Sequence, residues 1–492
     1  MHISEFKGKR VLIVGMAKTG VALARLLAGQ GALVTINDIR PEEELCAALN
    51  DLKGLSYQSE FGSHRVETFL RQDLILVSPG VPVNGVPVRH AAFEEARKHN
   101  IPVSNDLELA FSLTSAPFLA VSGTNGKTTV TSLLGEIFSR AGKRVIVGGN
   151  IGAPLSPLVC EHSDAEFVIA EVSSFQLETI HRFRPLVGIM LNITPDHLDR
   201  YASFEEYVEA KARLFINQAA GDFALINATD AATPHLLSIR RGAGKVLFFR
   251  TDAPSVFFTQ DASPVSSTQD ASSVSTEYGN EGVTFQGKNI VARIGGREER
   301  ICSIEQAKLT GEHNRENILA AALTAWLCHL DRGVIQKSIE EFSGLSHRIE
   351  FVAEVRGVRF IDDSKGTNVD AVVRAIQSIQ RMNGGKSIWL ILGGRDKGND
   401  YQPLVPLVKD RVKGILAIGE SRQKVNQFFR DIVPVYCMDS FKDAIQWSFS
   451  IASAGDSVLL SPACASFDMF ESYAHRGEVF KQLVLEIARQ VA

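Results

Sequence analysis

Cysteine, tryptophan and long apolar runs are what this chain of 492 residues has least of, and each shortage rules something out. Six cysteines, at 46, 160, 302, 328, 437 and 464, are scattered without a C-x-x-C pair. That excludes a disulfide scaffold and a cysteine-built zinc site, and we expect reduced, mostly buried thiols in a cytosolic protein. No run of 18 or more apolar residues occurs, and the opening MHISEFKGKR has no apolar signal core. We therefore expect no transmembrane segment and a soluble, cytoplasmic protein. An excess of one charge is also missing. Fifty-two basic against 56 acidic residues leave a formal charge of −4, with a pI near 6.3, so no nucleic-acid partner is expected. Apolar residues make up 45% of the chain, enough for several cores, and the length suggests about three domains.

Short β-branched runs alternate with amphipathic stretches, the pattern of α/β architecture with parallel sheets. Strands are expected at 10–14, 33–37, 74–78 and 101–103, with helices such as 21–30 and 87–99 between them. A second block has strands at 118–121, 144–147, 167–171, 188–192 and 223–227, and a third at 358–361, 387–392, 414–418 and 457–461. We place domains at 1–109, 110–344 and 345–492. One segment stands apart: T-Q-D-A-S-P-V-S at 259–266 recurs as T-Q-D-A-S-S-V-S at 268–275. Its polar composition buries too little apolar surface to offset ordering entropy, so 259–275 reads as a flexible insertion.

The most informative residues are S-G-T-N-G-K-T-T, 122–129, set between an apolar run and a helical pattern. Backbone N–H groups of Gly123, Thr124, Asn125 and Gly126 and of the following helix face phosphates, Lys127 adds a compact charge, and a Thr128 or Thr129 hydroxyl reaches Mg²⁺. The usual motif has glycine where Val121 stands. A surface G-K-T turn is the plainer alternative, and the strand and helix flanks weigh against it. The first turn, V-G-M-A-K-T-G, carries Gly15, Lys18, Thr19 and Gly20, with Ala17 where a dinucleotide fingerprint wants glycine. It offers a helix N-terminus to a pyrophosphate, or is simply a packing turn. Asp38 and Ser78-Pro79-Gly80 end the next strands, at the carboxyl edge where open sheets bind ligands.

Glu171 closes the strand F-V-I-A-E, a place from which a carboxylate holds Mg²⁺ beside a phosphate loop. Asp196, His197 and Asp199 follow another strand, and His197 is a metal ligand, a proton carrier or a plain loop histidine. Lys211, in Y-V-E-A-K-A-R-L-F, reads by itself as a solvated helix lysine. Asn314 and Asn317 sit three apart in G-E-H-N-R-E-N and can face one ligand. Polar loops H-R-I-E (347–350), D-D-S-K-G-T-N (362–368), G-G-R-D-K-G (393–398) and S-P-A-C-A-S-F-D-M-F (461–470) point to a binding face in the third block.

Taken together, these segments resemble the Mur ligases over nearly the whole chain. The ordered matches are G-T-N-G-K-T-T, G-G-N-I-G (148–152), E-V-S-S-F-Q-L-E, N-I-T-P-D-H-L-D-R-Y, A-K-A-R-L-F, G-E-H-N-R-E-N, S-H-R-I-E, D-D-S-K-G-T-N and L-S-P-A-C-A-S-F-D-M-F. The early phosphate loop and the S-P-A-C-A-S segment favour the D-glutamate-adding member over one that adds another amino acid or extends folate with glutamate. A nucleotide-gated switch and a nicotinamide dehydrogenase are the readings from other classes.

The resemblance implies three domains: a Rossmann-like N-terminal one, a P-loop-type central ATPase, and a Rossmann-like C-terminal one that closes over ATP and presents the amino acid. It implies an ATP-dependent ligase of peptidoglycan synthesis, acting as a monomer on UDP-N-acetylmuramoyl-L-alanine and D-glutamate through an acyl phosphate. Gly15, Lys18, Thr19, Asp38, Gly80 and Asn150 would bind the UDP substrate. Lys127 would serve the ATP phosphates, and Asn314, Arg348 and Asp363 the base and ribose. Thr128, Glu171, His197 and Lys211, the last as a CO₂-derived carbamate, would hold two Mg²⁺ ions. Lys365, Thr367, Lys397, Ser466 and Tyr473 would line the D-glutamate site. Tyr473 stands where relatives commonly carry phenylalanine, and the 259–275 insertion matches nothing in the family pattern.

Overall fold

A computed structural model describes residues 2–83, 91–150, 152–197, 200–251, 281–309, 311–379, 385–396 and 398–491. The 259–275 insertion and residues 87–90 of one expected helix lie outside them. The chain forms two compact units, Met1–Ala307 with Asn314–Phe342, and Lys308–His313 with Ser343–Ala492.

The first unit carries two sheets. The first sheet contains β1 (Arg10–Val14), β2 (Leu33–Asp38), β3 (Gln58–Phe61), β4 (Leu74–Val77) and β5 (Val103–Ser104), in the order β3-β2-β1-β4-β5 and parallel throughout. β1 is apolar after Arg10 because both its faces are covered. Val11 and Ile13 pack with Leu23 and Leu27, while Leu12 and Val14 pack with Phe69 and Phe93. The strand order reverses between β1 and β4, the position at which open parallel sheets receive ligands.

The second sheet contains β6 (Phe118–Ser122), β7 (Val145–Gly149), β8 (Phe167–Glu171), β9 (Val187–Met190), β10 (Phe223–Asn227), β11 (Lys245–Arg250), β12 (Gly282–Gln286), β13 (Asn289–Ile294) and β14 (Arg297–Ser303). Its order is β14-β13-β12-β11-β10-β9-β6-β8-β7. The strands up to β12 pair in parallel, whereas β13 and β14 form an antiparallel edge that the alternation of strands and helices does not announce. β6 is buried along its whole length between β8 and β9, so the turn that follows it starts from a fixed point.

Helix Asp106–Leu113 joins these two sheets, and the expected boundary at 109/110 falls inside it. Its two buried carboxylates satisfy backbone donors of the central part. Asp106 accepts from the Leu155 and Ser156 N–H groups at 2.6 and 2.9 Å, and Glu108 from those of His181, Arg182 and Phe183 at 2.8–3.0 Å.

The second unit holds β15 (Glu350–Val355), β16 (Val358–Asp362), β17 (Ile388–Gly393), β18 (Val412–Ile418), β19 (Val435–Cys437) and β20 (Ser457–Leu460). Their order is β15-β16-β20-β17-β18-β19, parallel except for β15. The polar loops 362–368, 393–398 and 461–470 leave the carboxyl ends of β16, β17 and β20.

All six cysteines are free, but only Cys302 and Cys464 are buried, which corrects the expectation of mostly buried thiols. Cys437 ends the edge strand β19 and Cys46 opens a short surface helix, so neither is covered. Among the described residues no helix is long and apolar enough to cross a membrane.

Candidate active site

The turn after β6 owes its shape to glycine. Gly126, at φ +86°, caps helix Lys127–Arg140 in the left-handed region, where a side chain is strained. A Cβ there would also lie 2.5 Å from the Asn317 amide oxygen. Asn317 is buried and bonds Asn314 at 3.2 Å, so the two asparagines share the helix face beside this loop. Asn192, which sequence reasoning did not single out, clamps the turn from β9. Its carboxamide accepts from the Asn125 N–H at 2.8 Å and donates to the Asn125 carbonyl at 3.0 Å. Its carbonyl accepts from the Thr124 N–H at 2.8 Å, and Thr128 and Thr129 are buried in the first turn of the helix. The Lys127 ammonium donates to the Gly123 and Thr124 carbonyls at 2.8 Å.

Lys211 departs from its solvated reading. It is 1% exposed, and its ammonium donates to the Gly123 carbonyl at 2.8 Å, 4.8 Å from the centre of the Tyr207 ring. Burial, and then the charge of Lys127, push its pKa well below the usual lysine range, against the pull of Asp196 and Glu171. A helix F-E-E-Y-V-E-A-K-A alone gives no sign of this, because the burial comes from elements distant in sequence.

Glu171 is equally buried, at 2%. Its Oε1 accepts from the Asn150 amide at 2.8 Å, and its Oε2 has no hydrogen-bond partner among the described residues. A buried carboxylate oxygen without a donor is costly unless a cation meets it, so this donor set fits Mg²⁺. His197 sits at φ +56°, with its ring 4.7 Å from Phe175 and its Nε2 3.7 Å from Asp196. Asp199 lies outside the described residues.

In the first sheet, Ser78 donates to the Gly15 carbonyl at 2.6 Å, and a Cβ at Gly20 would collide with the same carbonyl. Lys18 donates to the Gly152 carbonyl at 2.5 Å, while Thr19 is half-buried and Gly80 exposed. Asp38 is buried and holds the turn, accepting from the Met16 N–H at 2.7 Å and from Arg40 at 2.8 and 3.0 Å. Burial alone would raise its pKa, but the hydrogen bonds from Arg40 and Met16 outweigh it and keep the carboxylate below its usual range. Arg40 is a second residue that sequence reasoning missed.

In the second unit, Asp363 and Lys365 leave β16, and Ser466 leaves β20. Burial pushes the Asp363 carboxyl up to about 7, against the Ser461 hydroxyl at 2.6 Å and the charge of Arg348. Lys365 lies over the Tyr473 ring, the Thr367 N–H bonds the Lys365 carbonyl at 2.9 Å, and Ser466 is buried. Lys397 lies outside the described residues. His347 and Ile349 both adopt positive φ, at +64° and +48°, a cost that for a β-branched residue marks a constrained segment. His347, Glu350 and Asp362 offer donor atoms within 4.8 Å of one another. His347 already bonds Asp362 at 2.7 Å, and Lys481 meets Glu350 at 2.9 Å, so an internal cation serves this cluster.

The comparisons with known proteins cover all three sheets. Residues 9–104 match the profile described as Mur ligase MurD-like, N-terminal domain. Residues 121–325 match the Mur ligase middle domain, and residues 347–464 the Mur ligase, glutamate ligase domain. The chain is 42% identical to a UDP-N-acetylmuramoylalanine–D-glutamate ligase of Geotalea daltonii, over 98% of this chain and 99% of that protein. It is 40% identical to the protein of the same name from Pelotomaculum thermopropionicum, over 99% and 100%. Among solved structures, a pseudomurein peptide ligase type C from Methanothermus fervidus superposes with a TM-score of 0.59 at 17% identity, covering 98% of this chain and 100% of that one. A MurF ligase from Thermotoga maritima in complex with ADP gives 0.56 at 14%, covering 100% and 97%.

Proposed function

The chain belongs to the Mur ligase family, and we propose that it joins D-glutamate to UDP-N-acetylmuramoyl-L-alanine in an ATP-dependent step of peptidoglycan precursor synthesis. The observation that carries this reading is identity of about 40% along nearly the whole chain to ligases of that name.

A free carboxylate is a poor acyl donor, so the carboxylate of the UDP substrate takes the γ-phosphoryl group of ATP and becomes an acyl phosphate. The amine of D-glutamate attacks the acyl carbon, a tetrahedral intermediate collapses, and phosphate leaves. Lys127 and the N–H groups of the Gly123–Gly126 turn hold the ATP phosphates, and Thr128, Glu171, His197 and Lys211 would hold Mg²⁺. Mg²⁺, when bound, neutralises phosphate charge. The buried, orphaned oxygen of Glu171 supports this assignment. Lys211 acts as a carbamate, for which its burial and lowered pKa are favourable, since only a neutral amine adds CO₂.

The first-sheet turn with Gly15, Lys18, Thr19, Asp38 and Gly80, together with Asn150, receives the UDP substrate. Asn314, Arg348 and Asp363 serve the nucleotide, and Lys365, Thr367, Lys397, Ser466 and Tyr473 the amino acid. We keep the domains at 1–109, 110–344 and 345–492, a cytoplasmic location and a monomeric state as parts of the same proposal. The test is phosphate release by purified protein with the UDP substrate, ATP and a panel of amino acids. D-Glutamate should be preferred by about 10³-fold over L-glutamate and D-aspartate, because wrong chirality or length leaves buried polar groups unpaired. Equal rates with L-glutamate would overturn the assignment.

A further inference from the structure

Arg476 is fully buried and has no assigned role. Its guanidinium donates to the Ser364 hydroxyl at 3.0 Å and to the Ser364 carbonyl at 2.8 Å. It also donates to the Cys464 carbonyl at 3.3 Å from both terminal nitrogens, and to the Ala465 carbonyl at 3.5 Å. Every one of these acceptors is neutral. No carboxylate of the described residues forms an ion pair with it. Asp468, Asp362 and Asp363 act on it only at longer range, and burial lowers its pKa to about 10.

This is an expensive arrangement on two counts. A buried charge needs pairing, and here its hydrogen bonds go to neutral dipoles while the carboxylates act only from a distance. Arg476 also lies in the first turn of helix Tyr473–Val491, where the macrodipole disfavours a cation. A neutral side chain of similar length would fill the space without either penalty. What the charge and the planar fork achieve is a bridge. One edge grips Ser364, the neighbour of Lys365, and the other grips Cys464 and Ala465, the neighbours of Ser466. The Ser364 hydroxyl in turn donates to the Tyr473 carbonyl at 2.8 Å. Lys365, Ser466 and Tyr473 are thus spaced by one buried guanidinium.

We propose that Arg476 is a positioning residue for the amino-acid site. It fixes the spacing of the 362–368 and 461–470 loops and supplies positive potential that no direct ion pair cancels, which favours an amino acid with two carboxylates. This rests on the D-glutamate reading above. The structure assigns the role through contacts within one compact unit, so it needs no assumption about other parts of the molecule.

The experiment is steady-state kinetics of the full chain with each substrate varied in turn, for wild type, Arg476→Met and Arg476→Lys. Arg476→Met keeps an apolar stem of similar length but removes both fork and charge. Its KM for D-glutamate should rise about tenfold or more, the loss of roughly one charge-assisted contact, while the KM values for ATP and the UDP substrate stay within about twofold. Arg476→Lys keeps the charge without the fork and should recover part of the loss. An unchanged D-glutamate KM, or an equal rise in all three KM values, overturns the proposal. If Arg476→Met does not fold, Ser364→Ala removes one anchor of the fork and must show the same selective rise. Wild type that turns over D-glutamate beside an unaffected Arg476→Met overturns this inference alone. Wild type inactive with D-glutamate overturns the functional reading itself.

Discussion

The Lys365 ammonium lies 5.2 Å over the centre of the Tyr473 ring, so the ring that opens the last helix also contacts a cation of the 362–368 loop, proposed above to serve the amino acid. The contact uses the ring face and not the hydroxyl. Tyr473→Phe should therefore keep kcat/KM for D-glutamate within about twofold, whereas Tyr473→Ala, which loses about 0.5–1 kcal/mol of cation–π attraction to Lys365, should raise KM several-fold. Amino-acid saturation curves decide it, and a Phe variant as impaired as the Ala variant would give the hydroxyl the leading part.

Asp106 holds the helix between the first two sheets to the Leu155–Ser156 backbone. Asp106→Asn retains the shape but replaces one acceptor oxygen with an NH₂ group facing an N–H. The cost should be about 1–3 kcal/mol, read as a lower urea midpoint of the first unit. An unchanged midpoint would mean that the backbone groups find other acceptors.

The described strands explain how far the chain could be read. β1, β8 and β10 match the expected bounds because they are continuous apolar runs in parallel sheets, the clearest pattern a sequence offers. The strands β3 and β14 escaped notice for the opposite reason. Q-S-E-F and R-E-E-R-I-C-S carry exposed polar residues, and their pairing comes from neighbouring strands. The phosphate loop was legible because its glycines and lysine are local chemistry. Burial of Lys211 and Arg476 was not, since each is enclosed by segments tens of residues away, Lys211 by Gly123 and Arg476 by Ser364.

His313 provides a pH signature of the second unit. Burial, then the charges of Arg374 and Arg348, depress its pKa from 6.5 to about 4, with Asp370 opposing. The folded imidazole resists a proton that the unfolded one accepts near 6.5. Its contribution to stability is therefore complete above that pH and is lost as pH falls toward 4, at most about 3 kcal/mol. Urea midpoints of the wild type should drop between pH 7.5 and 4.5, and those of His313→Gln should drop less. Parallel slopes would place the titration elsewhere.

Lys127 donates to the Gly123 and Thr124 carbonyls, whereas the proposed UDP-substrate turn belongs to a different sheet. Lys127→Ala should thus abolish phosphate release and leave UDP-substrate binding nearly intact by calorimetry. Equal loss of both would contradict the division of work between the two sheets.

The sharpest test concerns Lys211. As a cation it would repel Mg²⁺, yet it sits fully buried on the carbonyl of Gly123 beside a second lysine. Burial and Lys127 both favour the neutral amine, the form that adds CO₂, and the resulting carbamate presents two anionic oxygens of the kind Mg²⁺ prefers. Lys211→Ala should lose most activity with the fold retained. Formate or acetate, small enough to enter the space left by the side chain, should restore part of it, and chloride at equal ionic strength should not. Wild type should also gain ¹³C signal at carbamate shift when given labelled bicarbonate. Near-normal turnover by Lys211→Ala in bicarbonate-depleted buffer would leave Lys211 as a buried structural lysine, its amine serving only to hold the Gly123 carbonyl in place.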